Sequence, residues 1–503
     1  MRKKINKILL ISPPFYRFFG LSKSFLPIGL LSIGTVLKQN GFNVKVYNSD
    51  FERGLLTFDH PFTEELMSKY NEYRIKLFDH EFYVWREIEE KIKEESPDIV
   101  GIGFTTDKFT AACRVAEIVK NINKDILVIA GGPHPTSLPE ETIEQPNFDI
   151  LVRGEGELSI LSLLKNIEQG NDLSETKGIT FRKNGQIVST PPMHLIKNLD
   201  EIPIYDREIL MDYKEYSPAA MGNLVTSRGC PYNCSFCSAH ICWGRTARFR
   251  NIIEVIKEIE LIHKKYGTVE FSILDDAFTL DKNRISYFCK ELQRRKLKIF
   301  WTCITRADLL TNELLREMKG SGCRYVSIGI ESGEPEILKK TGKEINLAQV
   351  EAAVNGIKKL KINAHAYFMV GFLEETEESL KKTEELMKRL RLDYISIAFV
   401  VPYPGTQIYN ELIKKDKLLT REWLDFFPEN PDIFKRDFLS NEALNRAYLK
   451  LKKYTSIIKA ASLKKESRSF IYLYKKIEEG FHSPAYLLEN IKKFFRLQFS
   501  RNL

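Results

Sequence analysis

Cys230, Cys234, Cys237 and Cys242 fall within thirteen residues, while the other four of the eight cysteines are dispersed. A disulfide framework spreads its cysteines and suits a small secreted chain, so clustered thiols point to a metal instead. The run reads Arg228-Gly-Cys230-Pro-Tyr-Asn-Cys234-Ser-Phe236-Cys237. Three thiolates in a C-x3-C-x2-C loop suit a soft metal centre. A [4Fe–4S] cluster normally takes four cysteines, so three leave one iron open to an external ligand. The competing chemistry is a structural zinc site, closed by Cys242 or His240 and inert.

Such a loop needs a scaffold, and the chain is long enough to supply one. Its 503 residues allow about three domains. Hydrophobic residues make up 43% and charged residues 28%, which excludes disorder as the main state. The net charge of +9 is mild for this length and does not imply nucleic acid. No apolar run approaches the roughly 20 residues of a membrane span. The basic start leads into Ile8–Ile11, too short for a signal-peptide core, and then Pro13-Pro14. The expectation is a first β-strand in a cytoplasmic protein.

Residues 1–195 alternate strand and helix patterns. Strands are expected at 7–12, 42–47, 97–104, 126–130 and 148–152, and helices at 28–39 and 111–121. This rhythm implies an α/β fold with a doubly wound, Rossmann-like sheet that takes ligands at the carboxyl ends of its strands. Residues 55–95 fit less well and read as an inserted helical segment. Residues 196–219 read as a linker. A second βα series fills 220–415, with strands near 224–226, 269–274, 300–304, 325–330, 364–370 and 394–401. Six βα units suggest a partial (β/α)6 barrel of the TIM type, with its chemistry at the strand C-termini. Residues 416–503 read as a helical, basic C-terminal region.

The cysteine loop stands just after the first strand of this second series. Loop and barrel together resemble the radical S-adenosylmethionine (radical SAM) superfamily. Cys230, Cys234 and Cys237 match its cluster motif, with Phe236 at the expected place before the third cysteine. The resemblance implies that SAM chelates the open iron through its amino and carboxylate groups. An electron from the cluster then releases a 5′-deoxyadenosyl radical, which abstracts hydrogen from an unreactive C–H bond. The cofactor carries the hard chemistry, so no side chain is assigned as a general acid or base.

The resemblance also implies SAM contacts at successive strand ends. These are Asp275 and Asp276 for the amino group, Arg306 for the carboxylate, Glu331 and Ser332 for ribose or the amino-acid moiety, and Gly371 where backbone meets adenine. Phe236 joins them from the cluster loop. Plainer readings exist: the two aspartates cap the next helix, and Arg306 forms a salt bridge on the barrel rim.

In the first domain, four segments resemble the cobalamin-binding domain of B12-dependent radical SAM enzymes. They are Pro27-Ile-Gly-Leu-Leu31, Pro97-Asp-Ile-Val-Gly-Ile-Gly103, Gly131-Gly132-Pro-His134-Pro-Thr136 and Arg153-Gly-Glu155-Gly-Glu157. With the barrel, the resemblance covers about residues 5–415. Gly131 and Gly132 let backbone approach a large flat ligand. Thr105 and Thr106 would bond the nucleotide tail or the corrin amides. His134 and Glu155 complete the expected cobalamin-binding set. The D-x-H-x-x-G motif that gives cobalt a histidine in many other B12 proteins is absent, since Asp59-His60 and Asp79-His80 do not fit it. The lower face of cobalt therefore stays unassigned, and a lone histidine beside prolines, as at His134, is more often structural. The plainer reading is a Rossmann-like domain that binds nothing, or an ordinary nucleotide.

The cofactors expected are a [4Fe–4S] cluster, S-adenosyl-L-methionine and cobalamin. The expected reaction is methylation of an unactivated carbon in a small-molecule or lipid-like substrate, with methylcobalamin as donor and a flavodoxin or ferredoxin as reductant. The alternatives are a radical oxidative cyclisation or rearrangement, as in the anaerobic porphyrin-ring cyclase, and a non-catalytic cobalamin- or zinc-binding protein. Methylthio transfer to tRNA is disfavoured, because only Cys113 precedes the cluster loop. Arg245, Arg248 and Arg250 follow the loop and suit either an acidic ligand or a solvated helix entrance. The stretch 464–503 holds nine basic and four acidic residues. It reads as an amphipathic tail able to lie on an anionic membrane, or as a helix packed on the barrel.

Overall fold

The computed structural model describes residues 5–22, 25–53, 55–57 and 69–467. The chain forms two compact units. One comprises Met1–Tyr213, Arg228–Arg250 and Val401–Phe434; the other comprises Lys214–Ser227, Asn251–Val400 and Lys435–Leu503.

The first unit is built on a seven-stranded sheet. Its strands are β1 (Lys7–Ser12), β2 (Asn43–Asn48), β3 (Ile99–Gly103), β4 (Leu127–Gly131), β5 (Ile150–Val152), β6 (Ile179–Lys183) and β7 (Gln186–Ser189). They run in the order β2-β1-β3-β4-β5-β6-β7. The first five are parallel, with Ile8 facing both Val44 and Ile99. Leu9, Leu10, Ile11, Val100, Ile102, Val128 and Ile129 are all buried, as a parallel sheet covered on both faces requires. Helices α1 (Ile28–Gln39), α2 (Tyr70–Phe78), α3 (Tyr83–Glu95), α4 (Phe109–Ile122) and α5 (Gly156–Gln169) accompany it.

Three local features differ from the expectations. First, β6 and β7 form an antiparallel hairpin that the periodicity does not reveal. Its turn is Asn184-Gly185 with φ of 53° and 77°, the positive values that a two-residue hairpin turn requires. Second, α3 is the crossover from β2 to β3 rather than part of an insert. Val84, Trp85, Ile88 and Ile92 are buried at helical spacing, a stripe obscured by the Glu and Lys between them. Third, 196–211 is not a free linker. Ile196, Leu199, Tyr205, Ile209 and Leu210 are buried, and the Met211 N–H donates to the Val46 carbonyl at 2.8 Å.

The second unit carries six parallel strands in sequence order. They are β8 (Asn223–Leu224), β9 (Glu270–Ile273), β10 (Phe300–Thr305), β11 (Cys323–Glu331), β12 (Asn363–Val370) and β13 (Tyr394–Phe399). Between them lie α6 (Ile252–Tyr266), α7 (Lys282–Arg294), α8 (Asn312–Gly320), α9 (Leu347–Lys359) and α10 (Glu377–Leu390). Sequence fixes several helix starts through side-chain caps, at Asn251, Asp281, Thr311, Asn346 and Thr376. Helix α11 (Asn441–Ser467) follows. Most of the basic tail, from residue 468 on, lies outside the described residues. Among those described, no helix is long and apolar enough to cross a membrane.

Candidate functional site

The cysteine loop belongs to the first unit. Residues 230–234 form no helix or strand, and the Cys237 N–H donates to the Cys234 carbonyl at 3.1 Å to close a turn. Cys230, Cys234 and Cys237 are half-buried and form no disulfide. Among the described residues, no three Cys, His, Asp or Glu side chains already converge as a metal cage. The donor set still fits an iron–sulfur centre: three thiols on irregular, partly exposed backbone, with Phe236 beside the third. Cys242 makes a poor fourth ligand. It is buried on the short helix Ala239–Trp243, and burial pushes its thiol up to about 11.

Two stems close the loop. Gly229 has φ +86°, and a Cβ there would stand 2.4 Å from the Thr246 carbonyl oxygen, so the stems meet backbone to backbone. Arg228 and Arg248 flank this contact, and both are buried. Arg228 donates through Nη1 to Glu155 Oε1 at 3.0 Å and through Nη2 to Glu157 Oε1 at 2.6 Å. Arg248 Nη1 donates to Glu155 Oε2 at 2.8 Å and to the Ile196 carbonyl at 2.6 Å. The Ile196 N–H donates to Glu155 Oε2 at 2.7 Å, and Ser32 Oγ donates to Glu157 Oε1 at 2.5 Å. Burial opposes ionisation of Glu157, but Arg228 and Ser32 outweigh it and hold the carboxyl below its ordinary value.

This geometry corrects two expectations. Glu155, expected on cobalamin, spends both oxygens on the stems. Arg248, expected at an acidic ligand or on a solvated helix entrance, is a buried partner of Glu155. Arg250 is buried too, and only Arg245 of the three sits near solvent, donating to the Tyr232 carbonyl at 3.0 Å. Sequence reasoning missed Arg228, Glu157 and Ser32 as members of this set. The available signal was the Gly-Glu-Gly-Glu run at a strand end, where buried carboxylates need cationic partners.

The other expected cobalamin residues gather at the carboxyl ends of β3 and β4. A Cβ on Gly132, whose φ is +109°, would stand 2.6 Å from the Phe104 carbonyl oxygen, so only glycine fits this turn. Gly131 precedes it. Thr105 is exposed and donates to Asp107, whereas Thr106 is buried against His134, with Oγ1 3.3 Å from Nδ1. His134 is itself fully buried among Phe104, Phe109 and Trp423, with centroid distances of 5.9, 4.6 and 5.3 Å. Among the described residues its Nε2 has no hydrogen-bond partner, and burial pulls its value down to about 3, favouring the neutral ring. A glycine turn with no room for a side chain, an exposed hydroxyl and an orphaned imidazole nitrogen are compatible with cobalamin at these strand ends.

In the second unit, the expected SAM residues stand at the carboxyl ends of β9, β10, β11 and β12. Asp275 is 1% exposed and accepts from Thr226 N at 2.6 Å, Thr226 Oγ1 at 2.5 Å and Ser227 Oγ at 2.6 Å. It ties strand ends together and leaves the exposed Asp276 as the carboxylate open to a ligand. Desolvation and repulsion from Asp275 raise the Asp276 carboxyl. Neither aspartate caps the next helix, because Asp281 does. Arg306 forks onto Asp308 at 3.0 Å through two nitrogens and also donates to the Lys343 carbonyl. It is a rim salt bridge, the plainer of its two readings.

Glu331 sits beside a register shift with φ +71° and pairs with Lys343 at 2.9 Å. Ser332 is buried, and its Oγ accepts from the Glu334 N–H at 3.1 Å. At Gly371 the N–H donates to Glu375 Oε2 at 2.7 Å and the carbonyl accepts from Arg436 Nε at 2.9 Å. Both its polar groups are thus engaged, which differs from the expected adenine contact.

Comparison with known proteins agrees with this layout. Residues 224–387 match the family model described as Radical SAM superfamily, and residues 23–164 match the B12 binding domain. The chain is 37% identical over 385 residues to an uncharacterised methyltransferase of Pyrococcus horikoshii, covering 75% of this chain and 84% of the relative. It is 31% identical over 373 residues to the anaerobic magnesium-protoporphyrin IX monomethyl ester cyclase of Rubrivivax gelatinosus, covering 71% and 66%. Its fold is shared with the radical SAM methyltransferase TsrM of Kitasatospora setae, solved with cobalamin and a [4Fe–4S] cluster bound. There the TM-score is 0.67 at 19% identity, covering 82% of this chain and 75% of that one. These matches overturn the inert zinc reading.

Proposed function

Because this chain belongs to the cobalamin-dependent radical SAM enzymes, with a [4Fe–4S] cluster, SAM and cobalamin as cofactors, we propose that it methylates an unactivated carbon of a small-molecule substrate. When bound, these cofactors supply the reducing electron, the hydrogen-abstracting radical and the methyl group. The chain's own part is to hold and orient them. Cys230, Cys234 and Cys237 provide the thiolates for iron. Asp276 offers an exposed carboxylate to the SAM ammonium, and Phe236 an apolar face next to the cluster. Gly131, Gly132 and Thr105 receive cobalamin. Glu331, held by Lys343, and the Arg306–Asp308 fork shape the rim on which SAM rests. A flavodoxin or ferredoxin is the reductant.

One observation carries the choice of methylation: the Pyrococcus relative, a methyltransferase by name, matches across 84% of its length. The test is anaerobic turnover with methyl-labelled SAM and a reductant, with nucleoside products separated by mass spectrometry. Methyl transfer predicts both 5′-deoxyadenosine and S-adenosylhomocysteine. 5′-Deoxyadenosine alone would favour the oxidative cyclisation alternative; the Rubrivivax relative is a cyclase by name. Formation of neither would overturn the proposal.

A further inference from the structure

The buried ions at the stems of the cysteine loop are not required by the chemistry above. Arg228, Arg248, Glu155 and Glu157 are 4–8% exposed, and their formal charges cancel. Arg228 also lies over the Trp243 ring at 4.6 Å. Four charges withdrawn from water add little stability even when paired, and apolar residues of similar size often serve as well. What paired guanidinium forks do supply is fixed geometry.

That geometry joins two functional places within one unit. Glu155 and Glu157 flank Gly156 at the junction of β5 and α5, at the strand ends where a doubly wound sheet takes its ligand. Arg228 and Arg248 flank the cysteine loop on its two stems, which touch at Gly229 and Thr246. Ser32 of α1 braces Glu157, and Ile196 braces Glu155. The β5–α5 turn is therefore joined to both stems by direct side-chain hydrogen bonds.

We propose that this quartet is a positioning device coupling the cysteine loop to the cobalamin-binding sheet, so that bound cobalamin retains iron in the loop and bound iron tightens cobalamin. The inference rests on the cofactor assignment above. The effect is reciprocal, because two coupled sites share one coupling free energy. Arg228, Arg248, Glu155 and Glu157 act through the loop and touch no reacting atom.

The test uses the full chain, reconstituted anaerobically with iron and sulfide, with and without hydroxocobalamin. Loss of iron to a chelator is timed in each case. In the parent protein cobalamin slows that loss about tenfold, within the usual range for coupled sites. In Glu157→Gln, which removes a charge, and Arg228→Lys, which removes the fork, the slowing falls to about twofold or less. Ser32→Ala, at the edge of the quartet, lowers it to about threefold and serves if the charge variants do not fold. A purely structural role would speed iron loss equally with and without cobalamin and keep the ratio at its parent value; that result overturns the proposal. So does a parent protein that loads iron and cobalamin fully yet shows no slowing, while the enzyme reading stands. A parent protein that takes up no iron or no cobalamin overturns both.

Discussion

The cysteine loop of the first unit and the barrel wall of the second each gather three thiols and a buried carboxylate at a strand end, yet they are built for opposite ends. In the loop, Cys230, Cys234 and Cys237 are half-buried on irregular backbone. In the wall, Cys289, Cys303 and Cys323 are buried neighbours, and burial pushes the Cys289 thiol up to about 12 and Cys323 well above its ordinary value. Thiolate, not thiol, binds metal, and burial of Cys289 and Cys323 works against that form.

The carboxylates differ as well. Glu155 is balanced by two guanidinium groups, whereas Asp275 is balanced by a backbone N–H and two hydroxyls. Glu155 thereby joins the loop stems to a strand end, and Asp275 joins two adjacent strand ends. Position at a strand end thus does not decide whether an acid meets ligand; its partners do.

The contrast can be broken most sharply at the thiols. Cys230→Ala, Cys234→Ala or Cys237→Ala should abolish iron uptake and SAM cleavage, while Cys303→Ala should leave iron per chain at the parent value. Iron bound by a chain lacking Cys234 would refute the ligand assignment. Next come the carboxylate partners. Arg228→Ala takes its cation from buried Glu157, while Glu155 keeps Arg248, and should cost about 3–5 kcal/mol in urea unfolding of the cofactor-free chain. Asp275→Ala strands uncharged donors and should cost about 2–3 kcal/mol. Equal losses would erase the distinction. Asp275→Asn should cost only about 1 kcal/mol, since both hydroxyls can rotate to serve an amide.

The two units should also respond oppositely to pH. Glu157 lies below its ordinary value when folded, so its contribution is full above that value and fades as acid titrates the folded group. Glu157→Gln should flatten the acid limb of a stability profile. Glu375, in the second unit, is raised to about 7, chiefly by burial. Its contribution is full below its ordinary value and is lost by the time pH has risen through about 7, so Glu375→Gln should flatten the fall in stability between that ordinary value and about 7. Profiles unchanged in both variants would show that these carboxyls do not set the pH response. The smallest effect belongs to Cys242→Ala, which should leave iron and cobalt per chain unaltered; a loss of iron would make Cys242 a ligand after all.

Much of the scaffold is legible in the order of the residues. The six barrel strands lie within a few residues of their expected places, because buried parallel strands are short apolar runs ended by Gly, Pro or Asp. Helix α3 reads as an insert because Glu and Lys between Val84 and Ile92 hide its apolar stripe. The β6–β7 hairpin escapes although Asn184-Gly185 announces such a turn, since its strands are mostly polar and their exposed edge needs no apolar run. The Asp275–Asp276 pair shows where legibility stops: chain order places both at one strand end, and only the neighbouring Thr226 and Ser227 reveal which is occupied.

By itself the sequence determined the fold class and the family and marked three cysteines as the expected cluster ligands, because spacing along the chain sets which thiols share a loop and which apolar runs become strands. Tertiary structure alone decided which charged residues remain available to ligands. Glu155, Arg248, Asp275 and Arg306 look alike in sequence to groups that meet a cofactor, but each is engaged by partners tens of residues away or by a neighbouring fork. A buried charge must be paired where it lies, and which charges lie together is a property of the folded chain, not of the order in which they are written.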